Sequence, residues 1–163
     1  VLDPILAALA AETGETAHAS LRAGRDLATV GVAESPRAAR VIIEPGLALP
    51  LHATASGLAY LAFARSEARA EALARPLSPH TPATPATAAA LAAALADQTY
   101  EAEVIGMAVP LIGPDGFATG ALAVATPASR FDAALAGTIR TALARAADAA
   151  SLGLGGRPLS TAA

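Results

Sequence analysis

The chain has 163 residues, the length of one domain with a single core. Hydrophobic residues make up 54% and charged residues 15%, which excludes a disordered chain; with three Phe, two Tyr and no Trp, the core must be built from aliphatic side chains. A net charge of −3, with eleven basic residues that are all Arg and never in a run, excludes the basic footprint of a nucleic-acid-binding surface, and the absence of Cys excludes disulfides, thiolate metal sites and thiol chemistry.

In chain order, Leu2, Ile5, Leu6 and Leu9 fall at helical spacing and Gly14 is placed to cap the helix. Thr16 to Arg22 and Asp26 to Ala33 read as two strands around the turn Ala23-Gly24-Arg25. Val41-Ile42-Ile43 reads as a third strand, ended by Pro45-Gly46. Small residues fill the first turns of the stretch from His52 to Arg65, which predicts a tightly packed helix, and a second helix runs from Ser66 to Arg75. Pro76 to Thr87 reads as an ordered loop, with Thr84 as N-cap and Pro85 opening a helix to about Gln98. Val104 to Ile112 and Phe117 to Ala125 bracket Gly113-Pro114-Asp115-Gly116 as a β-hairpin. Asp132 to Leu152 reads as an amphipathic helix with Leu135, Ile139, Leu143 and Ala146 inward, followed by a frayed tail from Gly155. This order predicts an α+β domain, an antiparallel sheet with helices packed on it.

No apolar run approaches the 18–20 residues of a membrane-spanning helix, and no signal-peptide pattern is present. The start at Val1, within a helical pattern, reads as a fragment of a longer protein. G-x-S-x-G, P-loop and G-x-G-x-x-G motifs are absent, so an enzyme is not expected, and neither is a cofactor. The three His, at 18, 52 and 80, lie at no ligand spacing, so no metal is expected. His18 reads as one side of a half-buried strand and His80 as surface. His52 and Ser56, four apart at a helix start, are the pair a hydrolase would need, without a third orienting group. The remaining candidate is Pro50 to Gly57, whose small side chains expose backbone donors at a helix N-terminus, a setting that holds carboxylates. The same small residues equally serve close packing of a helix on a sheet, and spacing alone leaves both readings open.

The string Pro50-Leu51-His52-Ala53-Thr54-Ala55-Ser56-Gly57, followed by Ala59 and Leu61-Ala62, resembles the PLHATAxGKALLA signature of the IclR family of bacterial transcription regulators. Glu12 to His18 resembles that family's ETGETVHL entry to its first strand, and Thr81, Thr84, Leu91 and Leu95 resemble its T-x-x-T-x-x-x-L-x-x-x-L helix. Ala108 to Leu111, Asp115-Gly116, Ala121 to Val124 and Pro127 to Arg130 are similar to its closing hairpin motif. The resemblance implies a GAF-like effector-binding domain over residues 1–155, a flexible tail over 156–163, and an N-terminal winged helix-turn-helix domain absent from this chain. It implies a cytoplasmic regulator that forms homodimers or homotetramers, touches DNA only through the missing domain, has no membrane contact and binds a small-molecule effector. Carried over residue by residue, the ligand-binding positions are Thr54, Ala55, Ser56 and Gly57, Gly106 and Met107, Ala123 and Ala125, with Glu103 as the acidic position of a compressed 99–103 segment. Leu58 stands where the family usually has Lys, and Ala123 and Ala125 stand where relatives often carry Ser. That departure implies an apolar or roomier pocket for an aromatic or branched organic acid. A structural dimerisation module with a vestigial pocket, or a small hydrolase on the same scaffold, are the alternatives.

Overall fold

A computed structural model of the chain describes residues 1–78, 87 and 104–159. Its elements are α1 (Leu2–Thr13), β1 (Thr16–Ala23), β2 (Asp26–Ala33), β3 (Ala48–Leu49), α2 (Ala55–Phe63), α3 (Ser66–Ala74), β4 (Val104–Ile112), β5 (Ala118–Pro127), a 3-10 turn (Ala128–Arg130) and α4 (Ala133–Gly153). The strands form one antiparallel sheet in the order β3-β2-β1-β5-β4. The expected α+β architecture, an antiparallel sheet flanked by helices, is what the chain adopts. The expected helix from Thr84 to about Gln98, the surface position of His80 and the placement of Glu103 lie outside the described residues.

Both sides of the sheet are covered, by different means. α1 and α4 pack on one face, where Leu6, Leu9, Ile139 and Leu143 meet Ala17 and Ala19 of β1, Leu122 and Val124 of β5, and Met107 and Leu111 of β4. α2 packs on the other face, where Leu58, Tyr60 and Leu61 meet Leu27, Ala118, Ala121 and Ile112. Alternation of side chains along each strand sorts the residues between the two faces.

Local chemistry sets the ends of these elements. Gly14 ends α1 in the left-handed region, φ 70°, its N–H donating to the Ala10 carbonyl at 2.9 Å. Asp132 caps α4 by accepting from the Leu135 N–H at 2.7 Å. Arg69, from α3, donates to the Leu61 carbonyl at 3.1 Å and the Ala62 carbonyl at 2.6 Å, satisfying acceptors that the end of α2 leaves open.

Three expectations are corrected. Val41-Ile42-Ile43 is not a strand; the β2 edge is paired by Ala48–Leu49, with the Thr29 N–H donating to the Leu47 carbonyl at 3.0 Å. A β-branched triplet favours extended backbone, but a strand needs a partner, and the later segment has taken the edge. The helix expected from His52 begins at Ala55, because Thr54 is its N-cap. The expected fraying does not begin at Gly155: Gly156 donates to the Ser151 carbonyl at 2.8 Å, Arg157 to the Ile112 carbonyl at 3.2 Å and Leu159 to Asp148 Oδ1 at 2.7 Å, and the rest of the tail lies outside the described residues.

Candidate functional site

A cavity of about 260 Å³ lies between the sheet and the segment that links β2 to α2. Its floor is the sheet face that α2 leaves uncovered beyond its own N-terminus. Ala123 and Ala125 of β5 supply the middle, with His18 of β1 opposite Ala123 and Gly106 of β4 opposite Ala125. One wall is the start of α2, through Thr54, Ala55 and Ser56. The roof is the strap from Glu34 to Leu49, which contributes Val41, Ile42, Ile43, Leu47 and Leu49.

The start of α2 is held close to the sheet by small residues. Thr54 donates from its hydroxyl to the Pro50 carbonyl at 3.0 Å and accepts from the Gly57 N–H at 3.0 Å. That leaves the first-turn amides of Ala55 and Ser56 without an intrahelical acceptor, beside the positive end of the helix dipole. Gly57 is required by approach, not by ligand: a Cβ there would lie 2.4 Å from the Leu51 carbonyl oxygen. Gly106 serves likewise, since a Cβ on it would meet the Ala55 methyl at 3.3 Å.

His18 is 6% exposed, and its Nε2 lies 3.3 Å from the hydroxyl of Ser56, which is itself buried. Burial pushes the imidazole down to about 4, so the ring is neutral near pH 7. Its Nδ1 has no hydrogen-bond partner. A hydrolase would need Ser56 paired with His52; His52 Nε2 is 2.9 Å from the Ser78 carbonyl, and the ring that lies at Ser56 is that of His18. A serine–histidine pair without an acid on the second ring nitrogen lacks the orienting group of a hydrolytic triad. Among the described residues no cluster of His, Asp and Glu is arranged to hold a metal ion.

The strap is fastened at its root. Glu15, 1% exposed, accepts from Arg130 Nε at 2.8 Å and Nη2 at 2.7 Å, and Arg37 approaches at 3.7 Å. Arg130 also donates to the Ala39 carbonyl at 2.7 Å, so one guanidinium ties the β5 exit, the β1 entry and the strap together. Ser35 donates to the Gly14 carbonyl and Thr16 to the Val41 carbonyl, each at 2.7 Å.

Of the positions singled out in the sequence, Thr54, Ala55, Ser56, Gly106, Ala123 and Ala125 come together on the cavity wall. Gly57 stands behind it, under Leu51. Met107 faces the opposite side, in the core under α1 and α4, because neighbouring residues of a strand point to opposite faces and Gly106 already faces the cavity. Sequence reasoning missed His18 and the strap. The signal for His18 was an imidazole alternating with Ala17 and Ala19 on a strand whose other side is apolar. The signal for the strap was the β-branched triplet Val41-Ile42-Ile43 between Arg40 and Glu44.

A family model described as the C-terminal region of the bacterial transcriptional regulator IclR matches residues 1–152. A transcriptional regulator of Cupriavidus necator named SauR is 34% identical over 137 residues, covering 77% of this chain and 54% of the relative. A solved IclR-type regulator from Silicibacter sp. TM1040 superposes with a TM-score of 0.88 at 39% identity, covering 94% of this chain and 65% of that one. The Thermotoga maritima IclR superposes at 0.85 with 23% identity, over 93% of this chain and 66% of that one. The neighbours share the GAF-like fold, and the chain spans about half of the curated relative and about two thirds of these solved chains. No helix among the described residues is long and apolar enough to cross a membrane. Because the family match runs from α1 through all but the last residue of α4, the sheet and the cavity included, the chain belongs to the IclR family of bacterial transcriptional regulators and carries their C-terminal domain.

Proposed function

We propose that this domain, spanning residues 1–155, is the effector-sensing part of a transcription regulator, and that the cavity under the strap holds a small organic acid. The observation that carries this reading is the pairing of an apolar slot with the free amides of the α2 N-terminus. Those amides, together with the Ser56 hydroxyl, anchor a carboxylate with no charged side chain on the cavity wall among the described residues. Glu103 lies outside the described residues, and neither Gly57 nor Met107 is part of this reading. The volume, about 260 Å³, sits just below the range of roughly 300–1,000 Å³ usual for drug-sized ligands, which favours a single-ring or branched acid. An IclR homologue from Microbacterium hydrocarbonoxydans was solved in complex with 4-hydroxybenzoate; it superposes at a TM-score of 0.75 and 23% identity over 92% of this chain and 66% of that one, and it supports an aromatic acid here.

The mechanism is population shift. An acid that binds one arrangement of the domain better than another biases the geometry of the oligomer, and through it a winged helix-turn-helix domain on the full-length protein. DNA is contacted by that other domain. Native mass spectrometry followed by thermal-shift screening against aliphatic and aromatic acids tests the reading. A stabilising acid whose effect disappears in Ala125→Leu, a variant that projects bulk into the cavity from a strand, supports it. A stabilising acid that Ala125→Leu binds unchanged removes this cavity, and an oligomer that no acid stabilises favours a purely structural dimerisation module.

A further inference from the structure

The strap that roofs the cavity is carried on few points. Val41, Ile42 and Ile43 line the cavity from above, yet Ile42 is 66% exposed, and Ile42 and Ile43 hydrogen-bond to no other described residue. The far end of this roof is pinned by backbone: the Thr29 carbonyl accepts from the Gly46 N–H at 2.7 Å, and the Thr29 N–H donates to the Leu47 carbonyl at 3.0 Å. The near end is pinned by a side chain. The Thr16 hydroxyl donates to the Val41 carbonyl at 2.7 Å and accepts from the Ser35 N–H at 3.2 Å, so one oxygen closes residues 35–41 into a loop. Thr16 is fully buried and does not itself line the cavity. Its cross-strand partner is Ala125 of the cavity floor, and directly paired residues project to the same face of a sheet. The hydroxyl therefore stands beside the floor and ties the roof down to it.

We infer that Thr16 is a positioning residue of the cavity: its hydroxyl is the latch that keeps the Val41–Ile43 roof closed, and release of that latch admits molecules to the floor. Access is governed in this way whatever the cavity binds, so the latch stands or falls apart from the acid. The position calls for a hydroxyl because one atom must donate and accept at once, which serine can also do and valine, of the same shape, cannot. Little else holds the roof shut. Its apolar side chains lie over a void, where they gain few dispersion contacts, and a segment so held opens well before the fold does. Without the hydroxyl, the Val41 carbonyl and the Ser35 N–H are left unpaired in the closed state and find water in the open one. Arg130 is the second hold. It gives Nε and Nη2 to Glu15 and Nη1 to the Ala39 carbonyl at 2.7 Å, and a lysine ammonium lacks the fork that reaches both.

The chain has no cysteine, so a single introduced thiol reports the opening. In Ala123→Cys the thiol stands on the cavity floor, and its rate of modification by N-ethylmaleimide measures how often the roof is open. Adding Thr16→Val should raise that rate about tenfold, adding Arg130→Lys about threefold, and adding Thr16→Ser should keep it within about twofold of the parent. The floor thiol should also respond weakly to low urea, because a local opening exposes little surface, whereas a control thiol in the filled core, Ala142→Cys, follows unfolding. No rise in Thr16→Val, or a rise that Thr16→Ser shares, overturns the latch. So does a urea dependence at the floor as steep as that of the control. Should Thr16→Val not fold, amide exchange in the Ala123→Cys protein decides: the Ser35 N–H, which donates to the Thr16 hydroxyl, should open with the equilibrium constant that governs the floor thiol. A Ser35 amide that exchanges only on unfolding, beside a thiol that reacts by the local route, overturns the latch as well.

Discussion

The two faces of the sheet are built from the same strands and obey opposite rules. Under α1 and α4 the strands present Leu122, Val124, Met107 and Leu111, closed by aliphatic side chains of both helices. Under α2 and the strap the same strands present Ala121, Ala123, Ala125, Gly106, His18 and Ser20, and every orphaned buried side-chain polar atom among the described residues is on this side. One face is filled and satisfied; the other is filled under α2 but hollow under the strap, and it is under-satisfied. The two packed clusters hold the sheet, which leaves the part under the strap free to tolerate a void and unmet hydrogen bonds.

The largest effect expected from breaking this division is on the filled face. Leu122→Ala removes a side chain with no exposure from the centre of β5 and should cost about 3 kcal/mol in urea unfolding, while a bound acid keeps its affinity in the variant that remains folded. Acid should strike the hollow face next. The His18 pKa is depressed from 6.5 to about 4 in the folded state, so the unfolded chain binds more protons between those values. Stability is therefore lost as pH falls below 6.5 and continues to be lost until about 4, by an amount on the order of 3 kcal/mol. Urea midpoints measured across that range should flatten in His18→Gln; an unchanged slope would assign the titration to other groups. Gly57→Ala places a methyl against the Leu51 backbone and should cost about 2 kcal/mol, with acid binding lost because the first turn of α2 shifts, as amide exchange at Ala55 and Ser56 would report. The smallest stability change is expected for Ala123→Val, under about 1.5 kcal/mol, since added methyls enter a void. The same variant should weaken acid binding at least tenfold, which separates the two faces in one experiment.

The filled face was the more legible of the two in the sequence. Helical spacing of Leu2, Leu6 and Leu9, and of Leu135, Ile139 and Leu143, announces two amphipathic helices, and those are the helices that cover it. The hollow face was legible where a motif marked it, from Thr54 to Ser56 and at Ala123 and Ala125. Elsewhere it depended on tertiary contacts that no local pattern reports. Val41 to Ile43 has the composition of a strand, and only the capture of the β2 edge by Ala48–Leu49 turns it into a roof. The partner of Ser56 lies thirty-eight residues away on β1, beyond the reach of any local helical spacing. Met107 failed by one step of the pleat.

The bidentate clamp of Arg130 on Glu15 has a consequence for communication through the domain. It joins the exit of β5 to the entry of β1 and holds the strap by the Ala39 carbonyl. Three residues farther along, α4 begins at Ala133, and α4 packs against α1 at the far side of the sheet. The residue that fastens the roof is thus the one that leads into α4, and the Ala39 carbonyl and the start of that helix share one anchor, the Glu15 carboxylate.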